Sequence, residues 1–256
     1  MTLAISGRLF LQYFDFSFRY HVVRISEEFP RNFTWLYELY NSKTYGGRML
    51  IFFPTIYHLG DTYQYVTANI TESAPSVYMF HKKTSDSRKA EILRLLSQPQ
   101  SDAKLTVVMC TSSFSLGLDL KDISYVIHYG PPRKTEDYLQ ETGRAARERG
   151  SHGHAILLTF SGDRRGRMLD DNMKEMVTQE RCRREILTVK FNIREEKPQD
   201  CCDHCQWDIT LPGSIIDWIH RYNDVVVANN EETSQVPSSS TSSSSESGRE
   251  FGELSP

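Results

Sequence analysis

The stretch QETGRAARERG at residues 140–150 holds the side chains best suited to binding a polyphosphate. Arg144 and Arg147 stand three residues apart, so on a helix they lie on the same face. The planar guanidinium donates hydrogen bonds in pairs and keeps its charge, which suits phosphate oxygens. A solvated, arginine-rich helix fits the same spacing, and the spacing alone favours that simpler interpretation.

A second group of reactive side chains consists of cysteines near the end of the chain: Cys182, Cys201, Cys202 and Cys205. Four thiolates can close a tetrahedral zinc site, and the C-x-x-C spacing from 202 to 205 is common in zinc chelates. His204 is an alternative ligand. This crowding fits a structural metal site in a reducing compartment better than a disulfide framework, and isolated cysteines are the simpler alternative. The fifth cysteine, Cys110, falls in an apolar run and is expected to be a buried core residue.

The elements that must position these residues alternate along the chain. Apolar or β-branched runs predict strands at 49–53, 76–80, 105–111, 125–130 and 155–160. Helical spacing predicts helices at 33–41, 58–70, 85–98 and 135–147. Ser85 and Thr135 are the predicted N-caps of the last two. This alternation predicts an α/β fold, a parallel sheet with helices on both faces.

The remaining segments divide the chain further. Residues 1–24 show no clear pattern and are predicted to be irregular. Residues 25–165 have the size of one compact domain. Residues 166–228 predict a small helical subdomain around the cysteines, with one or two helices in 168–192 and another in 211–227. The serine-rich stretch 229–256 is too polar to offset its chain entropy and is predicted to be disordered.

Composition and charge narrow the classes of function. The 256 residues are 39% hydrophobic and 25% charged, which is ordinary for a globular chain. The net charge of −3 hides an arginine-rich stretch over 133–194, so a local basic face is possible. No run approaches the roughly 20 apolar residues that span a bilayer, so no membrane partner is expected.

The order of these segments resembles that of superfamily 2 helicases, and the sequences of the motifs resemble the RecQ family most. TSSFSLGLDLKDISYVIHYGPP at 111–132 resembles motif V, QETGRAARERG resembles motif VI, and MLIFF followed by Pro54 and Thr55 resembles motif IV. CRR at 182–184 and CCDHC at 201–205 follow in the order that RecQ proteins show. The resemblance covers roughly residues 25–207 and implies a RecA-like lobe followed by a zinc-binding segment.

The resemblance also implies roles for individual residues. Arg147 corresponds to the arginine finger that contacts the ATP γ-phosphate, Arg144 to a supporting contact, and Gln140 to a residue facing the cleft between lobes. The remaining matches are Asp119 and Gly117 near the nucleotide, and Thr111, Ser112 and Thr55 near DNA. The implied metal ligands are Cys182, Cys201, Cys202 and Cys205, which would hold a structural zinc ion.

The sequence contains neither a G-x-x-x-x-G-K-[ST] phosphate loop nor a D-E-x-H box, both of which belong to the first helicase lobe. We therefore expect a C-terminal motor lobe of a 3′-to-5′ DNA helicase of repair or recombination, inactive without a first lobe that binds ATP and Mg²⁺. The expected partners are single-stranded or forked DNA and such a lobe, and the expected compartment is the nucleus. A non-catalytic DNA- or protein-binding module is the alternative. A DEAD-box RNA helicase lobe is disfavoured, since the cysteine cluster has no place in it.

Overall fold

The protein contains a parallel β-sheet at its centre. The computed structural model describes residues 18–100, 104–114, 122–143, 153–160, 168–189, 201–205 and 214–223. Within these residues, six strands form one sheet in the order β1-β6-β5-β2-β4-β3, and every neighbouring pair is parallel. The strands are β1 Phe18–Arg24, β2 Gly47–Phe52, β3 Val77–Phe80, β4 Leu105–Cys110, β5 Ile123–Tyr129 and β6 Gly153–Thr159. The predicted α/β class is confirmed.

Helices cover both faces of this sheet. They are α1 Thr34–Ser42, α2 Ile56–Asn69, α3 Asp86–Ser97, α4 Thr135–Thr142, α5 Asp171–Thr178, α6 Arg183–Val189 and α7 at 215–223. Ser85 is the N-cap of α3, as predicted, and its side chain accepts a hydrogen bond from the Arg88 N–H. None of the helices in the described ranges is both long and apolar enough to cross a membrane.

Two hydrophobic cores lie on opposite faces because successive side chains of a strand point to opposite sides. Leu50 and Leu157 face a core that includes Ile92 of α3, Met173 of α5 and the buried cysteines near the C-terminus. Their strand neighbours Met49, Ile51 and Ile156 face the other core, with residues of α1, α2 and α7. Burial on both faces explains why the central strands read as continuous apolar runs.

The prediction that residues 1–24 are irregular is wrong for Phe18–Arg24, which form β1 and pair with β6 along their whole length. The run FRYHVVR does not have the pattern of a buried strand, because charged and polar side chains interrupt its apolar residues. Its pairing partner also lies far away in the sequence, so no local signal marks the strand.

Helix α4 differs from its predicted course at both ends. It ends at Thr142 rather than at 147, and the N–H of Gly143 closes the last turn on the Leu139 carbonyl. The N-cap position is Lys134 rather than Thr135. The capping group comes from elsewhere in the chain: the Asp170 carboxylate accepts hydrogen bonds from the Thr135 N–H at 2.7 Å and from its hydroxyl at 2.8 and 2.9 Å.

The region predicted as one subdomain over 166–228 is divided between the two faces of the sheet. Helices α5 and α6 and residues 201–205 contribute to the core that contains Leu50. Helix α7 places Ile215 and Ile219 in the opposite core, and the Asn223 side chain accepts a hydrogen bond from the Ser26 N–H. The described part of this region therefore packs directly on the sheet. The predicted disordered tail at 229–256 lies outside the described residues.

Candidate nucleic-acid interface and metal centre

The polar residues expected to touch nucleic acid lie at one edge of the sheet, because parallel strands end on the same side. Thr55 follows β2, and its hydroxyl caps α2 by accepting the His58 N–H at 3.1 Å. Thr111 follows β4, and its N–H donates to the Phe80 carbonyl at the end of β3. Ser112 opens a 3-10 turn that runs to Phe114. Thr55 and Ser112 are exposed, whereas Thr111 is largely buried.

Helix α4 carries the first residues of the arginine motif. Tyr138 and Leu139 are buried beneath it, and Gln140 points outward and is exposed. The described part of the motif ends at Gly143. The predicted residues Arg144, Arg147, Gly117 and Asp119 lie outside the described residues, so their roles stay predictions.

Two residues of this edge were missed by sequence reasoning. Glu141 is 4% exposed, and its Oε2 accepts a hydrogen bond at 2.9 Å from Nε2 of His128, which is 2% exposed. Nothing in the sequence pattern singles out either residue. His128 lies in a parallel stack with Phe52, with ring centroids 5.0 Å apart, and it joins β5 to α4. The burial of Glu141 and its contact with His128 depend on the tertiary arrangement, so no local sequence signal marks the pair.

The four predicted metal ligands lie together. The Sγ atoms of Cys182, Cys201, Cys202 and Cys205 are all within 4.8 Å of one another, and the first three are buried. Cys182 and Cys201 place their Sγ atoms 3.6 Å apart, and no pair of the four forms a disulfide. The alternative ligand His204 is exposed and lies outside the group. Cys110 is buried in β4, as predicted.

The donor set fits a tetrahedral metal ion. Zinc–sulfur bonds of about 2.3 Å place the sulfurs of a tetrahedral site roughly 3.8 Å apart, close to the separation of the Cys182 and Cys201 sulfurs. Burial, with the neighbouring Cys202 as a further cause, raises the pKa of the Cys201 thiol to about 12. A hydrogen bond with Cys182, together with burial, raises the pKa of the Cys202 thiol as well. Metal binding must therefore displace the protons of Cys201 and Cys202.

Charged residues attach the cysteine cluster to the sheet. The Arg183 guanidinium lies 3.0 Å from the Asp203 carboxylate, and the other oxygen of Asp203 accepts the Val22 N–H at 3.0 Å. Arg184 is 5% exposed and lies over the ring of Tyr20. Segment 201–205 also hydrogen-bonds to the backbone of Tyr20 in β1, accepting at the Cys201 carbonyl and donating from the Asp203 N–H. The cluster thus lies along the outer edge of β1.

Comparison with known proteins finds similarity to helicases. Residues 31–149 match the family model described as the helicase conserved C-terminal domain. The ATP-dependent DNA helicase Q-like SIM of Arabidopsis thaliana is 31% identical over 140 residues, which are 49% of this chain and 16% of that protein. The ATP-dependent RNA helicase DBP6 of Saccharomyces cerevisiae is 30% identical over 111 residues, 43% of this chain and 17% of that protein.

Among solved structures, the C-terminal domain of the DEAD-box protein Dbp5 has a TM-score of 0.46 and 18% identity, covering 74% of this chain and 92% of that one. Residues 31–149 of the chain are thus similar to the helicase C-terminal domain, and the similar proteins include both DNA and RNA helicases. The chain spans less than a quarter of the length of the curated relatives above.

Proposed function

We propose that this chain is the C-terminal motor lobe of a RecQ-like 3′-to-5′ DNA helicase that acts in DNA repair or recombination. The observation that carries the proposal is the four-cysteine cluster, which follows the helicase domain and binds back to β1. The resemblance to RecQ proteins accounts for this order, whereas the DEAD-box RNA helicase alternative leaves the cluster unexplained. Nuclear localisation belongs to the same proposal, and the position of a fluorescent fusion in cells tests it.

In this proposal the cluster holds one structural zinc ion through four thiolates and leaves no coordination position for substrate. Thr55, Thr111 and Ser112 contact the DNA backbone at the carboxyl edge of the sheet. Arg147 reaches the γ-phosphate of ATP held by a separate first lobe, with Arg144 supporting it and Gln140 facing the same cleft. Gly117 and Asp119 lie near the nucleotide. Zinc, when bound, supplies rigidity rather than a chemical step.

A comparison of DNA and RNA binding tests the proposal. Fluorescence anisotropy of the purified chain should show tighter binding to labelled single-stranded DNA than to RNA of the same sequence, with an affinity that falls as salt rises. Preference for RNA would favour the RNA helicase assignment. Binding to neither would contradict both assignments.

A non-catalytic binding module is the second candidate, favoured by the absence of a phosphate loop from the sequence. Addition of a separately purified phosphate-loop lobe from a RecQ protein separates the candidates. A motor lobe should raise the DNA-stimulated ATPase activity of that partner, and Arg147→Ala should abolish the increase. No increase with the unmodified chain would favour the binding module.

A further inference from the structure

A tight turn between β3 and α3 carries two adjacent lysines. Residues 81–84, here called the lysine turn, are closed by their own hydrogen bonds. The His81 N–H donates to the Thr84 hydroxyl at 3.0 Å, and the Thr84 N–H returns to the His81 carbonyl at 3.0 Å. The Lys83 N–H donates to Nδ1 of His81 at 3.1 Å. Lys82 and Lys83 lie within this turn, and both are exposed.

Nearby cations are neutralised, but these two are not. On the adjoining helix Arg88 pairs with Glu91 and Lys89 pairs with Asp86. Across the described ranges of the chain, neither Lys82 nor Lys83 forms an ion pair or a side-chain hydrogen bond. The turn therefore presents two uncompensated positive charges within two consecutive residues. Burial, with the positive charges of Lys83 and Lys89 as smaller causes, lowers the pKa of His81.

The lysine turn lies beside the expected nucleic-acid contacts. Phe80, the residue before the turn, accepts the Thr111 N–H at 3.3 Å. The rings of Phe80 and Phe114 pack edge to face with centroids 4.8 Å apart, which fixes the turn against the 3-10 segment that Ser112 begins. The lysines and the exposed hydroxyl of Ser112 thus share one edge of the sheet.

We propose that Lys82 and Lys83 bind backbone phosphates of a nucleic-acid strand and extend the surface formed by Thr55, Thr111 and Ser112 toward the β3 side of the sheet. The ligand is a run of phosphodiesters. The contact carries no base specificity, because an ammonium group interacts with the phosphate charge and not with the bases. The proposal rests on the proposed function, since it requires the lobe to bind nucleic acid. It adds two residues that the helicase motifs quoted above do not contain.

Salt dependence tests this contact. A phosphate contact with a single strand contributes about 0.7 to the slope of log affinity against log salt, so Lys82→Ala with Lys83→Ala should reduce the slope by about 1.4. The measurement is fluorescence anisotropy of labelled oligothymidylate and oligouridylate over a series of KCl concentrations. Lys82→Arg with Lys83→Arg should keep the slope of the unmodified chain, because charge is retained.

Matched controls separate a local contact from a change in net charge. Lys43→Asn with Arg94→Gln also removes two exposed cations, but Lys43 precedes β2 and Arg94 lies in the last turn of α3, at the opposite edge of the sheet. Asparagine suits the left-handed conformation of Lys43, whose φ is 55°. This pair should leave the slope unchanged, and thermal melts should confirm that all variants fold.

The outcomes distinguish the two proposals. If the unmodified chain binds the oligonucleotides and the two alanines leave affinity and slope unchanged, the lysine contact is refuted and the proposed function stands. An equal loss of slope in the control pair would also refute a local contact. If the unmodified chain binds neither oligonucleotide, both proposals fall.

Discussion

Glu141 accepts a buried hydrogen bond from His128 across the junction between α4 and β5, with 2.9 Å between Oε2 and Nε2. The pair connects a helix at the start of the arginine motif to the strand whose end forms part of the expected nucleic-acid edge. Neighbouring Gln140 is exposed on the same helix. One turn of α4 therefore contains both Glu141, which is hydrogen-bonded in the core, and Gln140, which is accessible to a ligand.

Loss of this anchor should destabilise the fold. Glu141→Ala leaves a buried donor on His128 without its acceptor, which costs about 1–3 kcal/mol. Urea unfolding should show this loss in the free energy of unfolding, while Gln140→Ala on the adjacent exposed position should change it by less than about 0.5 kcal/mol. Equal effects of the two substitutions would show that the hydrogen bond contributes nothing specific.

Asp170 should matter more than an ordinary helix cap because it serves two helices. Its carboxylate accepts the Thr135 N–H of α4 and the Met173 N–H of α5. A single N-cap is worth about 0.5–2 kcal/mol, so Asp170→Ala should lower the free energy of unfolding by about 1–4 kcal/mol. Ser85→Ala, which removes the cap of α3 alone, is the matched comparison. A smaller loss for Asp170→Ala than for Ser85→Ala would contradict double capping.

The buried His21 should make the fold sensitive to acid. Burial, with smaller contributions from His154 and Arg19, lowers the pKa of His21 from 6.5 to about 3. As pH falls, the unfolded chain takes up this proton before the folded chain does. Stability from this residue is therefore complete above pH 6.5 and declines between pH 6.5 and 3, by about 1.4 kcal/mol per pH unit.

Denaturant unfolding at several pH values measures this decline. His21→Phe keeps a ring against His154, and its stability should fall less steeply with acid than that of the unmodified chain. His220→Gln on the exposed face of α7 should leave the steepness as it was. The same steepness for all three proteins would exclude His21 as the acid-sensitive group.

Metal content should depend on the clustered cysteines alone. Purified protein should hold about one zinc ion per chain, by the four-thiolate argument. Cys202→Ser should lose most of that metal and lower the melting temperature, whereas Cys110→Ala, a change in the core of β4, should keep the metal. Full zinc occupancy in Cys202→Ser would remove that residue from the ligand set.

The chain by itself should hydrolyse no ATP, with or without DNA. An arginine finger acts on nucleotide that another lobe holds, and the sequence contains no phosphate loop. A coupled ATPase assay on protein purified to homogeneity is the measurement, and Arg147→Ala provides the background. Hydrolysis that disappears in this variant would show that the chain contains a nucleotide site of its own.

Local patterns were enough to predict most of the sheet. β2 and β4 are apolar runs buried on both faces, and β3, β5 and β6 contain shorter buried stretches. Such runs are visible without knowledge of their partners. β1 was missed because Arg19, His21 and Arg24 interrupt its pattern and because its pairing with β6 is distant in sequence. The end of α4 was overestimated because the helical spacing of the arginines outweighed the stop at Gly143.

In the candidate site, too, local spacing was predictable from the sequence and tertiary contacts were not. Spacing predicted the four cysteines as one group, and they lie together. Spacing could not predict that Asp203 reaches Val22 or that Asp170 caps α4, since both contacts depend on the tertiary arrangement. The lysine turn was equally hidden, because exposed lysines are common and only the structure shows which of them lack a counter-charge.

The segment at 201–205 has a consequence for solubility. β1 ends the sheet, and the backbone of such a strand offers unpaired N–H and C=O groups to any other strand. Here the Cys201 carbonyl accepts the Tyr20 N–H, and the Asp203 N–H donates to the Tyr20 carbonyl. The Asp203 carboxylate accepts the N–H of Val22. In the proposed function a zinc ion holds this segment together, so removal of the zinc should loosen the cover on β1. The cysteine cluster then acts as a safeguard against self-association, since it keeps the sheet of one molecule from continuing into the sheet of the next.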